Sequence, residues 1–281
     1  MDEKRVIELS IIANRVRKNA LTAVHSAQSG HPGGSLSIAD VLTLLYFEVM
    51  KNDPKNPKDP DRDRFVLSKG HTAPALYGTL AERGYFPVED IPGFRHIDSY
   101  LQGHPDMVKV PGVDMSTGSL GQGVCVGAGM ALAGKLDKKD YRVYSILGDG
   151  ELEEGQVWEA AMFAPHYKLD NYTIFIDNNG LQIDGDITKV MNPTPIDKKF
   201  EAFGWNVIHS SAHDFNELYN AIEAAKECKG KPTAIIMKSV KGKNVSFMEN
   251  QVSWHGSAPN EEQYNIAMEE LEKAGEALCQ K

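Results

Sequence analysis

The residues RVYSILGDGE (142–151) and YTIFIDNNG (172–180) decide the fold of this chain. Each stretch opens with apolar and β-branched residues, which are typical of a buried strand, and ends in polar residues and glycine. Between the two, residues 155–167 carry apolar side chains at helical spacing. A strand, a helix and a second strand in this order predict a crossover that joins two parallel strands.

The same alternation extends through the rest of the chain. We predict further strands at residues 64–67, 205–209 and 233–238. We predict further helices at residues 6–27, 38–50 (capped by Ser37), 72–83, 120–134, 197–203, 215–228 and 260–278. Continuous apolar strands suit a parallel sheet that is covered on both faces. We therefore expect an α/β fold, a single domain over residues 1–281 with a doubly wound parallel sheet and helices on both faces.

Composition limits the classes of function. The chain has 281 residues, of which 41% are hydrophobic and 25% charged, so it can bury a substantial core. A net charge of −9 argues against a nucleic-acid binder, which needs a basic face. The N-terminal segment is charged and helix-periodic, and we see neither a signal peptide nor an apolar run of ~18 residues that could span a membrane. Three widely spaced cysteines suit a reducing compartment, and we expect a cytoplasmic protein.

Oxygen-bearing side chains follow both strands that decide the fold. Asp149 comes directly after the first strand, and Asn179 lies 30 residues later, after the second. In doubly wound sheets ligands bind beyond the carboxyl ends of the strands. A carboxylate and an amide oxygen suit a hard divalent cation such as Mg²⁺, which takes its other ligands from phosphate and water. The helix that begins near Gly155 would point the positive end of its dipole, its N-terminus, at the same phosphate group.

Four of the nine histidines lie directly beside glycine in segments that look like loops. They are His31, His71, His104 and His255. Their contexts predict that they converge on one pocket, where imidazoles could donate to hydroxyl groups and phosphate oxygens and move protons near neutral pH. The other five have ordinary neighbours, and we expect surface positions or satisfied core positions for them: His25, His96, His166, His209 and His213.

The segments around these histidines resemble transketolases in order and spacing. They are SGHPGG (29–34), LSKGHTAPALY (67–77), QGHPD (102–106), STGSLGQG (116–123), GDGELEEGQVWEA (148–160) and SWHGSAP (253–259). The resemblance covers nearly the whole chain and is far more specific than the GDG and NN pair alone. On these motifs the chain is identified as similar to the N-terminal, diphosphate-binding part of a transketolase.

The resemblance implies a cofactor, thiamine diphosphate, held through Mg²⁺, with Ca²⁺ or Mn²⁺ as possible replacements. It implies that the side chains of Asp149 and Asn179 and the backbone carbonyl of Leu181 bind the metal. It also implies that Gly148 and Gly150 lie against the diphosphate.

The resemblance gives the histidines separate roles. His31 and His104 would contact sugar hydroxyls, His71 would approach the cofactor, and His255 would reach the diphosphate or the donor end. Lys243 would lie near the substrate channel and the cofactor.

Four further positions follow from the same motifs. Ser119 and Leu120 would contact the aminopyrimidine and the thiazolium. Glu154 and Glu159 resemble the glutamates that link paired active sites at the transketolase dimer interface. For these two glutamates a solvated helix start, favoured by the helix dipole, remains an open alternative.

The resemblance also implies a partner. In transketolases a glutamate of a second, pyrimidine-binding domain activates the cofactor, and we expect this chain to lack that domain. A separate C-terminal subunit would then supply it, in a heterotetramer of two copies of each chain. The expected reaction transfers a two-carbon ketol unit from a ketose phosphate to an aldose phosphate, with the pentose phosphate pathway as the default setting.

Three alternatives remain at this point. The α subunit of a 2-oxo acid dehydrogenase shares the GDG and NN pair, but we would not expect it to carry all four histidine motifs. A deoxyxylulose-phosphate synthase normally has both domains in one chain and lacks the GHPGG and WHG segments. A non-catalytic paralogue that binds thiamine diphosphate is the third.

Overall fold

The computed structural model describes residues 1–280. A parallel sheet of five strands has the order β1-β2-β3-β7-β6, and a separate two-stranded hairpin, β4-β5, follows β3. The strands are β1 (Arg64–Leu67), β2 (Val143–Gly148), β3 (Tyr172–Asn178), β4 (Leu181–Gln182), β5 (Gly185–Asp186), β6 (Asn206–Ser211) and β7 (Thr233–Lys238). The parallel sheet confirms the predicted α/β class.

The helices connect the strands and cover the sheet. They are α1 (Glu3–Ala27), α2 (Pro32–Ser37), α3 (Ala39–Leu44), α4 (Ala73–Arg83), α5 (Gln122–Leu136), α6 (Gly155–His166), α7 (Ile187–Val190), α8 (Ile196–Phe203), α9 (Phe215–Glu227) and α10 (Glu261–Cys279). Among the described residues there is no helix whose length and apolar character would let it cross a membrane.

Alternating side chains of the strands form two hydrophobic cores, one on each face. Tyr144 and Ile146 of β2 face a core shared with α1, α3, α4 and α9. Val143 and Leu147 of the same strand face a core shared with α5, α6 and α8. The helices thus lie on both faces of the sheet, as the sequence predicts.

The register of the sheet brings three strand ends to one edge. Gly148 at the end of β2 lies beside Asp177 of β3, and Asn178 of β3 lies beside Lys238 of β7. Parallel strands place their carboxyl ends on the same side. The segments that follow β2, β3 and β7 therefore meet at this edge.

One predicted helix differs from the structure. Residues 39–49 are helical, as predicted, but the type of helix changes, because a π-helical turn, Leu45–Val49, follows α3 directly. Ser37 is not a cap. It is buried within α2, and its hydroxyl donates to the Asp177 carboxylate at 2.7 Å. A contact so distant in sequence leaves no local signal.

Candidate active site at the carboxyl ends of the strands

The turns after β2 and β3 are joined by hydrogen bonds to one carboxylate. The backbone N–H of Gly150 donates to Asp149 Oδ1 at 2.9 Å, and that of Gly180 donates to Asp149 Oδ2 at 2.6 Å. Asn179 Oδ1 accepts from the N–H of Leu181 at 3.0 Å. Asp149, Asn179 and Leu181 therefore lie in adjoining turns at neighbouring strand ends.

The environment of Asp149 opposes its negative charge. The residue is only 2% exposed, and burial, followed by the nearby charge of Asp177, raises its pKa to about 7. A cation beside this carboxylate would favour the ionised form. Within residues 1–280 no group of three His, Cys, Asp or Glu side chains could hold a metal by itself. A metal here would need amide, carbonyl and ligand oxygens in addition to Asp149, which is the donor set that hard cations accept.

A buried ion pair lies beneath these turns. The Asp177 carboxylate is fully buried and accepts hydrogen bonds from the Lys69 ammonium and the hydroxyls of Ser37 and Ser239. Burial alone would raise the pKa of Asp177, but the Lys69 charge and these hydrogen bonds hold it below its ordinary value. Lys69 also donates to the carbonyl of Gly34 at 3.2 Å. The pair thus joins β3 to α2 and to the segment before α4.

The four glycine-flanked histidines line one cavity, as their contexts predict. The ring centroids of His31, His71 and His255 are 4.9–5.4 Å apart, and His104 lines the same space. The cavity has a volume of about 570 Å³. Asp149, Asn179, Leu181, Leu120, Gly148, Gly150 and Glu154 also line it.

Burial keeps these imidazoles neutral at neutral pH. Burial, then the charge of Arg95, lowers the pKa of His31 to about 4 and also lowers that of His104. Burial, then Lys241, lowers the pKa of His255 to about 3, and burial lowers that of His71 well below its ordinary value. The His31 Nδ1 atom is buried and has no partner among the described residues. Neutral rings can both donate to and accept from a polar ligand.

Lys241, not Lys243, enters the cavity. Lys241 is 2% exposed, and its Nζ lies 2.9 Å from His255 Nδ1 and 3.3 Å from the carbonyl oxygen of Leu181. Burial, then Lys69, lowers the pKa of Lys241 to about 8. Lys243 instead pairs with Glu249 at 3.2 Å, outside the cavity. Gly242, at φ +78°, reverses the chain between the two lysines, and the motif alone did not separate them.

The remaining predicted positions lie at different distances from the cavity. Glu154 lines it at the start of α6, whereas Glu159 is exposed further along that helix and Ser119 is exposed beside Leu120.

Glu151 is a site residue that sequence reasoning missed. It is 2% exposed and accepts from Ser68 Oγ at 2.5 Å, Gly121 N at 2.8 Å and Gly148 N at 3.1 Å. Its place directly after the GDG turn was the signal that could have found it.

The donors around the cavity fit a polyanion bound with a divalent metal. Lys241 and the histidines supply N–H donors, and Asp149, Asn179 and the Leu181 carbonyl supply oxygens at adjacent points of the wall. Gly150 approaches Gln182 so closely that an added Cβ would lie 3.1 Å from the Gln182 Cβ. Glycine at this position therefore lets the turn after β2 pack closely against the segment after β3.

Residues 9–274 match a family described as transketolase, thiamine diphosphate binding domain. The chain belongs to the transketolase family. Its cofactor is thiamine diphosphate with a divalent metal, and the family activity is ketol transfer. The family match favours transketolase over the 2-oxo acid dehydrogenase and deoxyxylulose-phosphate synthase alternatives.

Two relatives of similar length are described as subunits. The 6-deoxy-6-sulfo-D-fructose transketolase subunit SqwG of Clostridium sp. (strain MSTE9) is 47% identical over 96% of this chain and 98% of its own. One of the subunits of the apulose-4-phosphate transketolase of Phocaeicola vulgatus is 41% identical over 98% of this chain and 97% of its own.

Single-chain transketolases are longer. The Homo sapiens enzyme is 44% identical over 91% of this chain, which spans 40% of that protein. The crystal structure of Campylobacter jejuni transketolase superposes with a TM-score of 0.90 at 36% identity, over 97% of this chain and 43% of the other. The fold is therefore that of the thiamine diphosphate-binding part of transketolase. This chain spans almost all of the relatives named as subunits and about two fifths of the single-chain enzymes.

Proposed function

We propose that this chain is the thiamine diphosphate-binding subunit of a two-subunit transketolase that transfers a two-carbon ketol unit from a ketose phosphate to an aldose phosphate. The observation that carries the proposal is the cavity, in which four neutral histidines face the Asp149 turn. Support comes from the match over 98% of a relative that is itself described as a transketolase subunit. We further propose that residues 1–281 are one diphosphate-binding domain in a cytoplasmic enzyme.

In this proposal the metal is Mg²⁺, with Ca²⁺ or Mn²⁺ able to replace it. Asp149 and Asn179 bind it through side-chain oxygens, and Leu181 binds it through its backbone carbonyl. Gly148 and Gly150 border the diphosphate, and thiamine diphosphate, once bound, supplies an electron sink for cleavage of the ketose carbon–carbon bond. Lys241 already contacts the Leu181 carbonyl, so its ammonium lies close enough to offset phosphate charge.

The histidines orient the sugar and the cofactor. His31 and His104 bind sugar hydroxyls, and His71 and His255 face the cofactor. Their lowered pKa values support these roles, because a neutral imidazole can accept a hydroxyl proton and donate its own. Leu120 gives the cofactor an apolar contact, with Ser119 beside it.

A separate chain completes the site in this proposal. It carries the pyrimidine-binding domain with the activating glutamate, and two copies of each chain form a heterotetramer. Exposed apolar side chains on α5 and α6 support an interface there: Leu136 is 72%, Met162 63% and Tyr167, next to α6, 45% exposed. Exposed apolar side chains on neighbouring helices favour a protein contact. Glu154 and Glu159 would lie at this interface.

A second substrate class is favoured by one comparison. The relative at 47% identity is named for 6-deoxy-6-sulfo-D-fructose, whose terminal group is a sulfonate, while that at 41% is named for apulose 4-phosphate. A ketose sulfonate is therefore the alternative to a ketose phosphate as donor, and the pentose phosphate pathway is one setting among several.

Isolation of the native assembly tests the function. The chain is captured from its own lysate, co-purifying proteins are identified by mass, and the assembly is assayed with thiamine diphosphate and Mg²⁺. The donors are ketose phosphates, apulose 4-phosphate and 6-deoxy-6-sulfo-D-fructose, each with an aldose phosphate acceptor. We expect a stoichiometric partner with a pyrimidine-binding domain and turnover of one donor class. Cofactor binding without turnover of any donor by such an assembly would instead identify a non-catalytic paralogue.

A further inference from the structure

Residues Ser239–Gly242, which follow β7, form a segment that we call the strap. Each of these four residues makes a hydrogen bond to another part of the chain. The Ser239 hydroxyl donates to Asp177, and the Val240 N–H donates to His213 Nε2 at 3.0 Å. Lys241 reaches His255 inside the cavity, and the Gly242 N–H donates to the carbonyl of Gly33 at 2.9 Å. Three of these anchors lie on or beside the cavity wall, whereas the His213 anchor comes from behind the strap.

The hydrogen bonds of His213 indicate which ring nitrogen is the donor. A backbone N–H can only donate, so His213 Nε2 accepts from Val240 and carries no proton. The proton is therefore on Nδ1, which lies 2.8 Å from Asp40 Oδ2 and donates to it. Arg17 donates to the same oxygen at 2.5 Å. Although burial opposes the charge, Arg17 lowers the pKa of Asp40 to about 2, and the carboxylate stays an acceptor.

This connected set joins the helical layer to the site. Arg17 lies on α1 and is 3% exposed, Asp40 lies on α3 and is 6% exposed, and the His213 side chain is 15% exposed between β6 and α9. Buried charges held in a hydrogen-bonded series have little freedom to move. The last member of the series sets the position of Val240, the residue directly before Lys241.

We propose that His213, oriented by Arg17 and Asp40, is a positioning residue that places Lys241 in the cavity through the N–H of Val240. The proposal rests on the proposed function only in giving Lys241 a role toward the cofactor. The placement itself is a property of this chain alone. The Lys241 carbonyl also accepts from the N–H of Asn250 at 2.9 Å, so the strap keeps other backbone anchors. Without an acceptor for Val240, the strap loses the anchor next to Lys241, and Lys241 leaves His255 and the Leu181 carbonyl more often.

Two near-isosteric variants separate positioning from core packing. In His213→Gln the side-chain oxygen can reach the place of Nε2 and accept from Val240, but residue 213 no longer donates to Asp40, which keeps only its bond from Arg17. In His213→Asn the side-chain amide can take the place of Nδ1 and donate to Asp40, but the Val240 N–H is left without an acceptor. A purely structural histidine would make both variants fail in the same way. His209→Asn, at an exposed position on β6, is the matched control.

The first readout is the rate at which an amine-specific reagent modifies Lys241 in the full chain, measured by peptide mass, with buried Lys69 as internal reference. We expect His213→Asn to accelerate Lys241 modification on the order of five- to tenfold, because loss of one buried hydrogen bond changes a local opening equilibrium by about that factor. His213→Gln and His209→Asn should stay near the wild-type rate. Equal rates for Asn and Gln, or acceleration at Lys69 as well, would overturn the proposal.

The second readout is a double-mutant cycle on the affinity for thiamine diphosphate with Mg²⁺, measured in the assembled enzyme. If His213 acts through Lys241, His213→Asn weakens binding in the wild-type background and has no further effect in Lys241→Met. Additive losses would overturn the positioning role. Unchanged affinity in Lys241→Met alone would instead refute the proposed cofactor role of Lys241, and the modification rates would still decide whether His213 positions it.

Discussion

At the scale of single residues, Asp149 offers a direct test of the metal site. Its two oxygens join the turns after β2 and β3, and the residue lines the cavity that the four histidines and Lys241 also line. We expect Asp149→Ala to weaken Mg²⁺-dependent binding of thiamine diphosphate by at least about a hundredfold, since removal of a direct ligand costs more than removal of an outer contact. Calorimetry with and without Mg²⁺ measures this. Asp140→Ala, exposed at the opposite edge of the sheet, is the control. Retained affinity would remove Asp149 from the metal site.

His104 tests the separation between sugar and cofactor contacts. It is the most exposed of the four cavity histidines and lies against Gly118, at the mouth of the cavity. We expect His104→Ala to lower kcat/KM on the order of a hundredfold, a normal value for loss of a hydrogen-bonding or proton-transferring group, with little change in cofactor affinity. Steady-state kinetics and calorimetry on one preparation give both numbers. Loss of cofactor binding would place His104 against the cofactor.

The lowered histidine pKa values predict a pH dependence of stability. In the unfolded chain His31 and His255 bind protons near pH 6.5, but in the folded chain only near pH 4 and 3. As the pH falls from about 6.5 toward 4, the unfolded chain takes up protons at these two positions and the folded chain does not. The free energy of unfolding therefore decreases over this range and is highest, with respect to these groups, above about pH 6.5. The raised pKa values of Asp149, about 7, and of Glu151 have the opposite sign, whereas the lowered pKa values of His71 and His104 act in the same direction as those of His31 and His255.

The measurement for this prediction is urea unfolding at about pH 7 and about pH 5. We expect a lower free energy of unfolding at the lower pH, by less than ~1.4 kcal/mol per pH unit for each histidine, because both rings keep some solvent contact. His255→Asn should flatten the dependence. An unchanged slope in that variant would show that His255 is protonated equally in both states.

Sequence alone located the residues whose chemistry is local in the chain. Asp149 and Asn179 follow apolar runs, and the four cavity histidines stand beside glycines, so their positions could be predicted. The partners behind them could not be predicted. Lys69 and Asp177 are 108 residues apart, and Lys241 is distinguished from Lys243 only by the turn at Gly242. Such pairs depend on the register of the sheet, which no local pattern encodes.

At the scale of elements, α5 shows how two glycines in one helix have different roles. An added Cβ at Gly123 would lie 2.6 Å from Ser68 Cα, whereas one at Gly129 would meet nothing within 4 Å. We expect Gly123→Ala to lower the free energy of unfolding by about 1–3 kcal/mol through overpacking. Gly129→Ala should raise it by up to ~1 kcal/mol through helix propensity. Denaturant unfolding compares them, and destabilisation by Gly129→Ala would contradict the assignment of an open face.

The elements that the sequence predicted well are those with a strong period. The apolar strands β1, β2, β3 and β7 and the amphipathic α9 and α10 lie within a few residues of the predicted ranges. The β4-β5 hairpin and α7 were missed, because strands of two residues and a single helical turn carry no period. That missed segment, 181–190, forms part of the cavity wall.

At the scale of the whole molecule, the two helical layers differ in the side chains that they expose to solvent. On one side α10 packs on α1 with a capped N-terminus and charged residues along its length. On the other side α5 and α6 expose Leu136 and Met162 to solvent. Leu136 and Met162 are more exposed than Ile266 of α10, so the second layer offers the more exposed apolar side chains to a permanent subunit contact.

Met162 provides the test of that asymmetry. We expect Met162→Lys to weaken association with the partner subunit by more than about tenfold, because burial of an unpaired charge at an interface costs more than ~1.4 kcal/mol. Ile266→Lys on α10 is the matched control, since Ile266 is also a partly exposed apolar residue, at 42% against 63%. Size-exclusion chromatography of the co-expressed subunits at several concentrations measures the effect, with the free energy of unfolding of each chain as a check on folding. Retention of the assembly by Met162→Lys would exclude Met162 from the interface and leave the outward apolar residues of α5 and α6 without a partner in this assembly. Loss of the assembly in Ile266→Lys alone would place the interface on the α10 side.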